Sequence, residues 1–199
     1  MTKPARRGNR FRPDISSGEI QELPLARCRG QIHLVQTAAQ ARDAIRAIQA
    51  ERILGFDTET RAAFRKGESY LPSLVQLAGD GVIWLFQLTH LEGLAGLGRV
   101  LANRNIVKTG VALGRDVKEL REIREFEPAG FVELEKVSDK AGVDANGLRG
   151  LAAIVLGVRL SKSAQRSNWA RPRLTDKMIR YAATDAWASR EIYLRLTEG

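Results

Sequence analysis

The sequence predicts an α/β domain in which a mixed β-sheet carries helices on both faces. Three observations predict it. Strand-like segments come first and cluster around a hairpin signal. Later strand-like segments alternate with helical ones. The chain then closes on a long helix with a clear start signal.

Taken in order, residues 31–36 (QIHLVQ) alternate like a short strand. Thr37 suits the cap of a helix over about 38–50, with Ala41, Ala44, Ile45 and Ile48 on one face. Residues 53–59 are strand-like. Residues 73–78 and 82–88 flank the turn G-D-G and predict a hairpin. Residues 91–101 read as a helix despite their glycines. Residues 106–109 form a short strand that Gly110 releases into a helix ending near Ile123. A strand over 131–134 precedes a helix to about Ala141. Residues 148–156 read as an apolar helix, and 161–173 (SKSAQRSNWARPR) as a polar, basic loop. Thr175 then caps a helix from Asp176 to about Leu196, with Asp176 suited to the helix dipole. Residues 1–30 mix Pro, Gly, Ser and charge without a period and are expected to be a flexible basic arm. The domain proper is 31–199.

A length of 199 residues, 44% of them hydrophobic, is enough for one domain with its own core. No apolar run approaches a membrane span, and no signal peptide opens the chain. The single cysteine, Cys28, excludes an internal disulfide and a cysteine-cluster metal site. An intracellular, cytoplasmic protein is expected. The net charge is +9, of which Lys3, Arg6, Arg7, Arg10 and Arg12 supply five. That balance favours a polyanionic partner, nucleic acid first.

Three places put acids where apolar patterning does not ask for them. Asp57 and Glu59 lie in F-D-T-E-T at the end of an apolar run. On a strand they share one face, so they repel unless a cation lies against them. Asp116 lies in V-K-T-G-V-A-L-G-R-D, across a strand and the helix that follows. Asp185 lies in Y-A-A-T-D-A, one helical turn beyond Tyr181 and therefore on the same face. The small neighbours Ala182, Ala183 and Ala186 would let that helix approach a sheet closely. Each piece alone suits an ordinary surface or packing role.

Together, in this order, F-D-T-E, K-x-G-V-x-x-x-x-D and Y-A-A-T-D-A resemble the three motifs of the DEDD exonuclease superfamily. Tyr181, four residues before the last Asp, resembles the DEDDy subgroup, and ribonuclease D and Werner-type exonuclease domains within it. P-S-L-V-Q-L (72–77) and S-N-W-A-R-P (167–172) extend the likeness over about 31–196. The resemblance implies a ribonuclease H-like fold with a five-stranded mixed sheet. It implies that Asp57, Glu59, Asp116 and Asp185 bind two divalent cations, Mg²⁺ or Mn²⁺, and that Tyr181 positions the attacking water. The implied reaction is 3′→5′ hydrolysis of DNA or RNA from a free 3′ end, releasing nucleoside 5′-monophosphates.

The residue types suit that chemistry. Two hard cations about 4 Å apart can lower the pKa of a bound water and stabilise the leaving 3′-oxygen. Tyr181 is too weak a base at a free pKa of about 10 and is better suited to orienting that water. The sister subgroup carries a His five residues before the last Asp, and here that position is Arg180. His33 and His90 lie outside the motifs.

For substrate contact, Thr60, Lys162, Arg166 and Arg171 are the candidates, with a solvated loop as the alternative for the last three. Arg61, Arg65, Lys66 and Tyr70 are candidates for a rim around the terminal nucleotide. Trp169 is expected to pack rather than to stack on a base. Lys108 suits a surface ion pair or a substrate contact equally. Two rival classes stand beside the enzyme: an inactive nucleic-acid- or partner-binding module of the same fold, and a basic RNA-associated structural protein. Nothing in the sequence separates DNA from RNA or sets an oligomeric state.

Overall fold

A computed structural model describes residues 10–63, 65, 67–145 and 147–198. Helix α1 (Ser17–Glu22) comes first, then strand β1 (Gln31–Val35) and helix α2 (Ala38–Ile48). Strands β2 (Ile53–Thr60), β3 (Pro72–Ala78) and β4 (Val82–Gln87) follow, and then helix α3 (Leu97–Leu101). The second half alternates: β5 (Val107–Gly110), α4 (Leu113–Ile123), β6 (Phe131–Glu133), α5 (Leu134–Lys140) and α6 (Gly147–Leu151). A wide helical turn (Ala152–Leu156) and the long helix α7 (Asp176–Thr197) complete it.

The sheet has six strands in the order β1-β4-β3-β2-β5-β6. The pairs β2–β3 and β3–β4 are antiparallel, while β1–β4, β2–β5 and β5–β6 are parallel. The fold is therefore the mixed α/β sheet that the element order predicts, with one strand more than the five the family resemblance implies. The turn between β3 and β4 is Asp80-Gly81, with Gly81 at φ 68° and the Gly79 N–H donating to the Val82 carbonyl at 2.8 Å. Gly is favoured there because an L side chain resists positive φ. β3 is buried along its whole length, consistent with a central strand covered on both faces.

Side chains alternate across β2 and divide between two cores. Leu54 and Phe56 join Ile45, Ile48, Leu101 and Leu120 on the face covered by α2, α3 and α4. On the other face Ala182, Ala183 and Ala186 of α7 pack with Leu74, Leu85 and Trp169. A third cluster joins Leu134, Leu151, Val155, Leu160 and Ile192 beside α7.

Three local expectations are corrected. The predicted helix over 91–101 is confined to α3, because Gly93, Ala95 and Gly96 all take positive φ (55°, 45° and 91°) and keep the preceding chain in turns. The predicted helix over 148–156 is α6 followed by the wide turn, closed by Gly157 at φ 68°. The described part of the expected flexible arm is docked. Ser16 and Glu19 form a reciprocal capping box on α1. Leu25 pairs with Arg159, Ala26 is buried, and the Cys28 N–H donates to Thr184 Oγ1 at 3.3 Å. Most of this docking uses backbone groups, which leave no mark in side-chain patterning. Residues 1–9 lie outside the described residues.

Candidate active site

The site forms where α7 crosses β2. Gly55, Asp57 and Glu59 point from β2 toward α7. A Cβ on Gly55 would lie 1.9 Å from the Ala186 carbonyl oxygen and 2.8 Å from the Arg190 nitrogen. Only glycine admits the helix at that distance. The close approach brings Asp185, 8% exposed, against the β2 acids. One carboxylate oxygen from each of Asp57, Glu59 and Asp185 lies within 4.8 Å of the other two. Two segments more than a hundred residues apart thus converge on one point.

Asp116 joins from the other side of β2. It occupies the first turn of α4, whose leading N–H groups, on Ala112 and Leu113, donate to the two oxygens of Glu133 at 3.0 Å each. Asp116 Oδ1 accepts a hydrogen bond from Thr58 Oγ1 at 2.8 Å. Thr58, between the two β2 acids, thus ties Asp116 to the strand that carries them. Asp116 supplies no oxygen to the tight cluster itself, which holds Asp57, Glu59 and Asp185.

The electrostatics are those of anions forced together. Burial raises the Asp57 carboxyl well above its usual range, and the charges of Asp185 and Asp116 add to that. Only the Thr58 backbone N–H, donating at 2.9 Å, opposes it. Glu59 is pushed up to about 10 by burial and by its three acidic neighbours. Burial raises Asp185 to about 7, against the pull of a Tyr181 hydrogen bond and the Arg149 charge. Asp116 rises to about 6, again through burial, with the Thr58 bond opposing. Burial also raises Tyr181, so its phenol is neutral near pH 7. Its ring lies 6.0 Å from that of Trp169, inclined at 44°.

A site whose donors are all carboxylate oxygens, and which resists ionising by itself, fits hard divalent cations. Their charge would offset the repulsion that otherwise keeps these groups protonated.

The other candidates are distributed as follows. Thr60, beside an irregularity in the β2–β3 register, shares a cavity of about 400 Å³ with Asp116, Arg61 and Tyr70. The Arg61 guanidinium stands 4.8 Å from the centre of the Tyr70 ring. Lys66 lies outside the described residues. Lys162 lines a different cavity, with Asp14, Ser17 and Gln21. Arg166 and Arg171 are exposed, and the Arg171 carbonyl accepts from Gln87 Nε2 at 2.9 Å. Among the described residues, the two cavities that Asp185 lines include none of these three basic residues. Trp169 is fully buried, as a packing residue. Lys108 is not at the surface: it is fully buried, and its Nζ donates to the carbonyls of Asn103 (2.7 Å) and Ile106 (2.8 Å). Burial lowers its pKa to about 8. His90 Nε2 lies 2.7 Å from the Pro172 carbonyl oxygen, away from the acids.

Sequence reasoning missed Arg149 and Gln165, which line a cavity of about 430 Å³ with Asp57, Tyr181 and Asp185. The available signal was an arginine inside the apolar run of 148–156.

Comparison with known proteins gives the family and the fold. The model of a family described as 3′-5′ exonuclease matches residues 32–199. The chain is 33% identical over 150 residues to the mouse bifunctional 3′-5′ exonuclease/ATP-dependent helicase WRN, covering 72% of this chain and 11% of that protein. Ribonuclease D of Cronobacter turicensis is 29% identical over 154 residues, covering 75% and 40%. The chain thus spans less than half the length of these relatives. Among solved structures, the Aedes aegypti Nibbler EXO domain superposes with a TM-score of 0.78 at 23% identity, over 86% of this chain and 90% of that one. Trypanosoma brucei RNase D in complex with RNA U12 gives 0.75 at 22% identity, over 92% and 65%. These two show the shared fold.

Proposed function

The chain belongs to the 3′-5′ exonuclease family, and from that premise we propose that it removes nucleotides one at a time from the free 3′ end of a nucleic-acid strand. The products are nucleoside 5′-monophosphates. The observation that carries the reading is the convergence of Asp57, Glu59 and Asp185 within 4.8 Å, from β2 and α7, beside a cavity that Tyr181 lines with Asp57 and Asp185.

Asp57, Glu59, Asp116 and Asp185 would hold two divalent cations, Mg²⁺ or Mn²⁺. Bound there, such cations would acidify the attacking water and offset charge on the leaving 3′-oxygen. The chain's own groups do the rest. Thr58 orients Asp116 through its hydroxyl. Tyr181, kept neutral by burial, offers its phenol oxygen to hold the water in line with the phosphorus atom. It does not serve as the base. The Trp169 ring fixes the Tyr181 ring from behind. Thr60, next to Asp116 in the neighbouring cavity, is placed to contact the terminal nucleotide. Lys162, Arg166 and Arg171 are assigned to the approaching strand, outside the reacting centre.

A 5′-labelled single-stranded oligonucleotide tests this. In Mg²⁺ or Mn²⁺ it should shorten stepwise from the 3′ end. Asp57→Ala and Asp185→Ala should each lower the rate on the order of 10³-fold or more. Full activity in both variants would place the chemistry elsewhere. Matched DNA and RNA strands in the same assay identify the preferred sugar.

A further inference from the structure

The Arg149 side chain is half-buried between two cavities, one lined by Asp57, Tyr181 and Asp185 and the other by Asp14, Asp144 and Lys162. Its Nε atom is sealed from solvent and has no hydrogen-bond partner among the described residues. No carboxylate among the described residues lies within ion-pair distance of it. A buried donor on a cation is costly to leave unpaired. A half-buried guanidinium facing a pocket is therefore poised for an anion that arrives from outside. Its surroundings hold it there. Leu151, two residues on, is fully buried, and the Gly147 N–H at the start of α6 donates to Glu135 Oε1 at 3.1 Å. The wide turn after α6 fixes its far end.

We propose that Arg149 is a substrate-positioning residue that takes a non-bridging phosphate oxygen of the strand lying across the acid cluster. This deepens the exonuclease reading and rests on it for the identity of the strand. The chemistry favours arginine: a planar fork of donors matches phosphate better than an ammonium does. The acids alone would repel the phosphate, and one fixed cation at the cavity wall gives it a partner and an orientation. In that role Arg149 joins Lys162, Arg166 and Arg171, and unlike them it lines a cavity with Asp57 and Asp185.

The test is a binding measurement on the full chain. Anisotropy of a fluorescein-labelled single-stranded decamer is recorded in EDTA over a range of KCl concentrations. Arg149→Ala should weaken binding about tenfold. It should also reduce the slope of log K against log[KCl] by about 0.7, the loss of one phosphate contact. Arg149→Lys keeps the charge and should retain the wild-type slope, which separates a lost cation from lost packing. A wild-type affinity and slope in Arg149→Ala overturns the proposal. So does a slope loss in Arg149→Lys as large as in Arg149→Ala. A parallel assay in Mg²⁺ keeps the two readings apart. Loss of slope with no cleavage by the wild type sinks the exonuclease reading and leaves the phosphate contact standing. Cleavage with an unchanged slope sinks the contact alone.

Discussion

Glu59 is 9% exposed, and its carboxyl, pushed up to about 10, carries a proton at neutral pH when no cation is present. Asp116 at about 6 and Asp185 at about 7 are raised in the same direction. All three bind protons more tightly in the folded chain than in the unfolded one. Their contribution to stability is fully present below the ordinary carboxylate range and is lost as pH rises through 6, 7 and 10. In EDTA the melting temperature should therefore fall between pH 6 and pH 9, by several degrees. Mg²⁺ should restore more of it at pH 9 than at pH 6, because cations favour the ionised acids. Scanning fluorimetry checks this, and a metal-free profile that is flat or rises with pH would contradict it. For the same reason Asp57→Asn should stabilise the metal-free protein by about 1 kcal/mol while removing most of the Mg²⁺-induced shift. Thr58→Val keeps the shape but leaves Asp116 without its 2.8 Å hydrogen bond. It should slow cleavage about tenfold with little change in the affinity for the strand.

At the scale of elements, the crossing of α7 over β2 sets the site. Gly55→Ala puts a methyl carbon 1.9 Å from the Ala186 oxygen, so helix and strand must separate. Overpacking of this kind should cost about 3 kcal/mol in urea denaturation and reduce metal affinity, since Asp185 moves with the helix. A stability close to wild type would show that the helix can shift freely. Much of this level was legible in the sequence. Thr37 does cap α2, in a box with Gln40, and Ala41, Ala44, Ile45 and Ile48 form its buried face. The Asp80-Gly81 turn was marked by residue types that suit it, with Gly81 at positive φ. Tyr181 and Asp185, one turn apart, do line one cavity with Asp57. The failures share a cause. Gly93, Ala95 and Gly96 hold a backbone conformation that propensity does not announce, so an apolar period over 91–101 passed for one helix. Lys108 was expected to make a surface ion pair or a substrate contact, and only the fold shows the two carbonyls that take it inside. Arg149 was hidden for the complementary reason: an isolated cation in an apolar run gives no hint of which cavity it faces.

At the scale of the whole molecule, the six-stranded sheet and the docked N-terminal segment make one body. The Arg159 N–H donates to the Pro24 carbonyl and the Ala26 N–H to the Arg159 carbonyl, each at 2.9 Å, and Ala26 joins the third core cluster. Deleting residues 1–28 should cost at least about 2 kcal/mol of stability, through an exposed core edge and unpaired backbone groups. Chemical denaturation measures it, and an unchanged midpoint would return the segment to the status of an appendage. Among the described residues, no helix is long and apolar enough to cross a membrane. The net charge of +9 suits a polyanion, and binding of nucleic acid should weaken steeply with salt. Removing residues 1–18 should flatten that dependence, because all five cations of 1–13 go with them.

The measurement that bears most directly on all three scales is a crystal structure of the chain grown with Mn²⁺, read by anomalous scattering at the manganese edge. The account predicts peaks at coordination distance, about 2.0–2.2 Å, from carboxylate oxygens of Asp57, Glu59 and Asp185, with Asp116 beside them. Manganese bound elsewhere, with these oxygens left to one another and to protons, would contradict it.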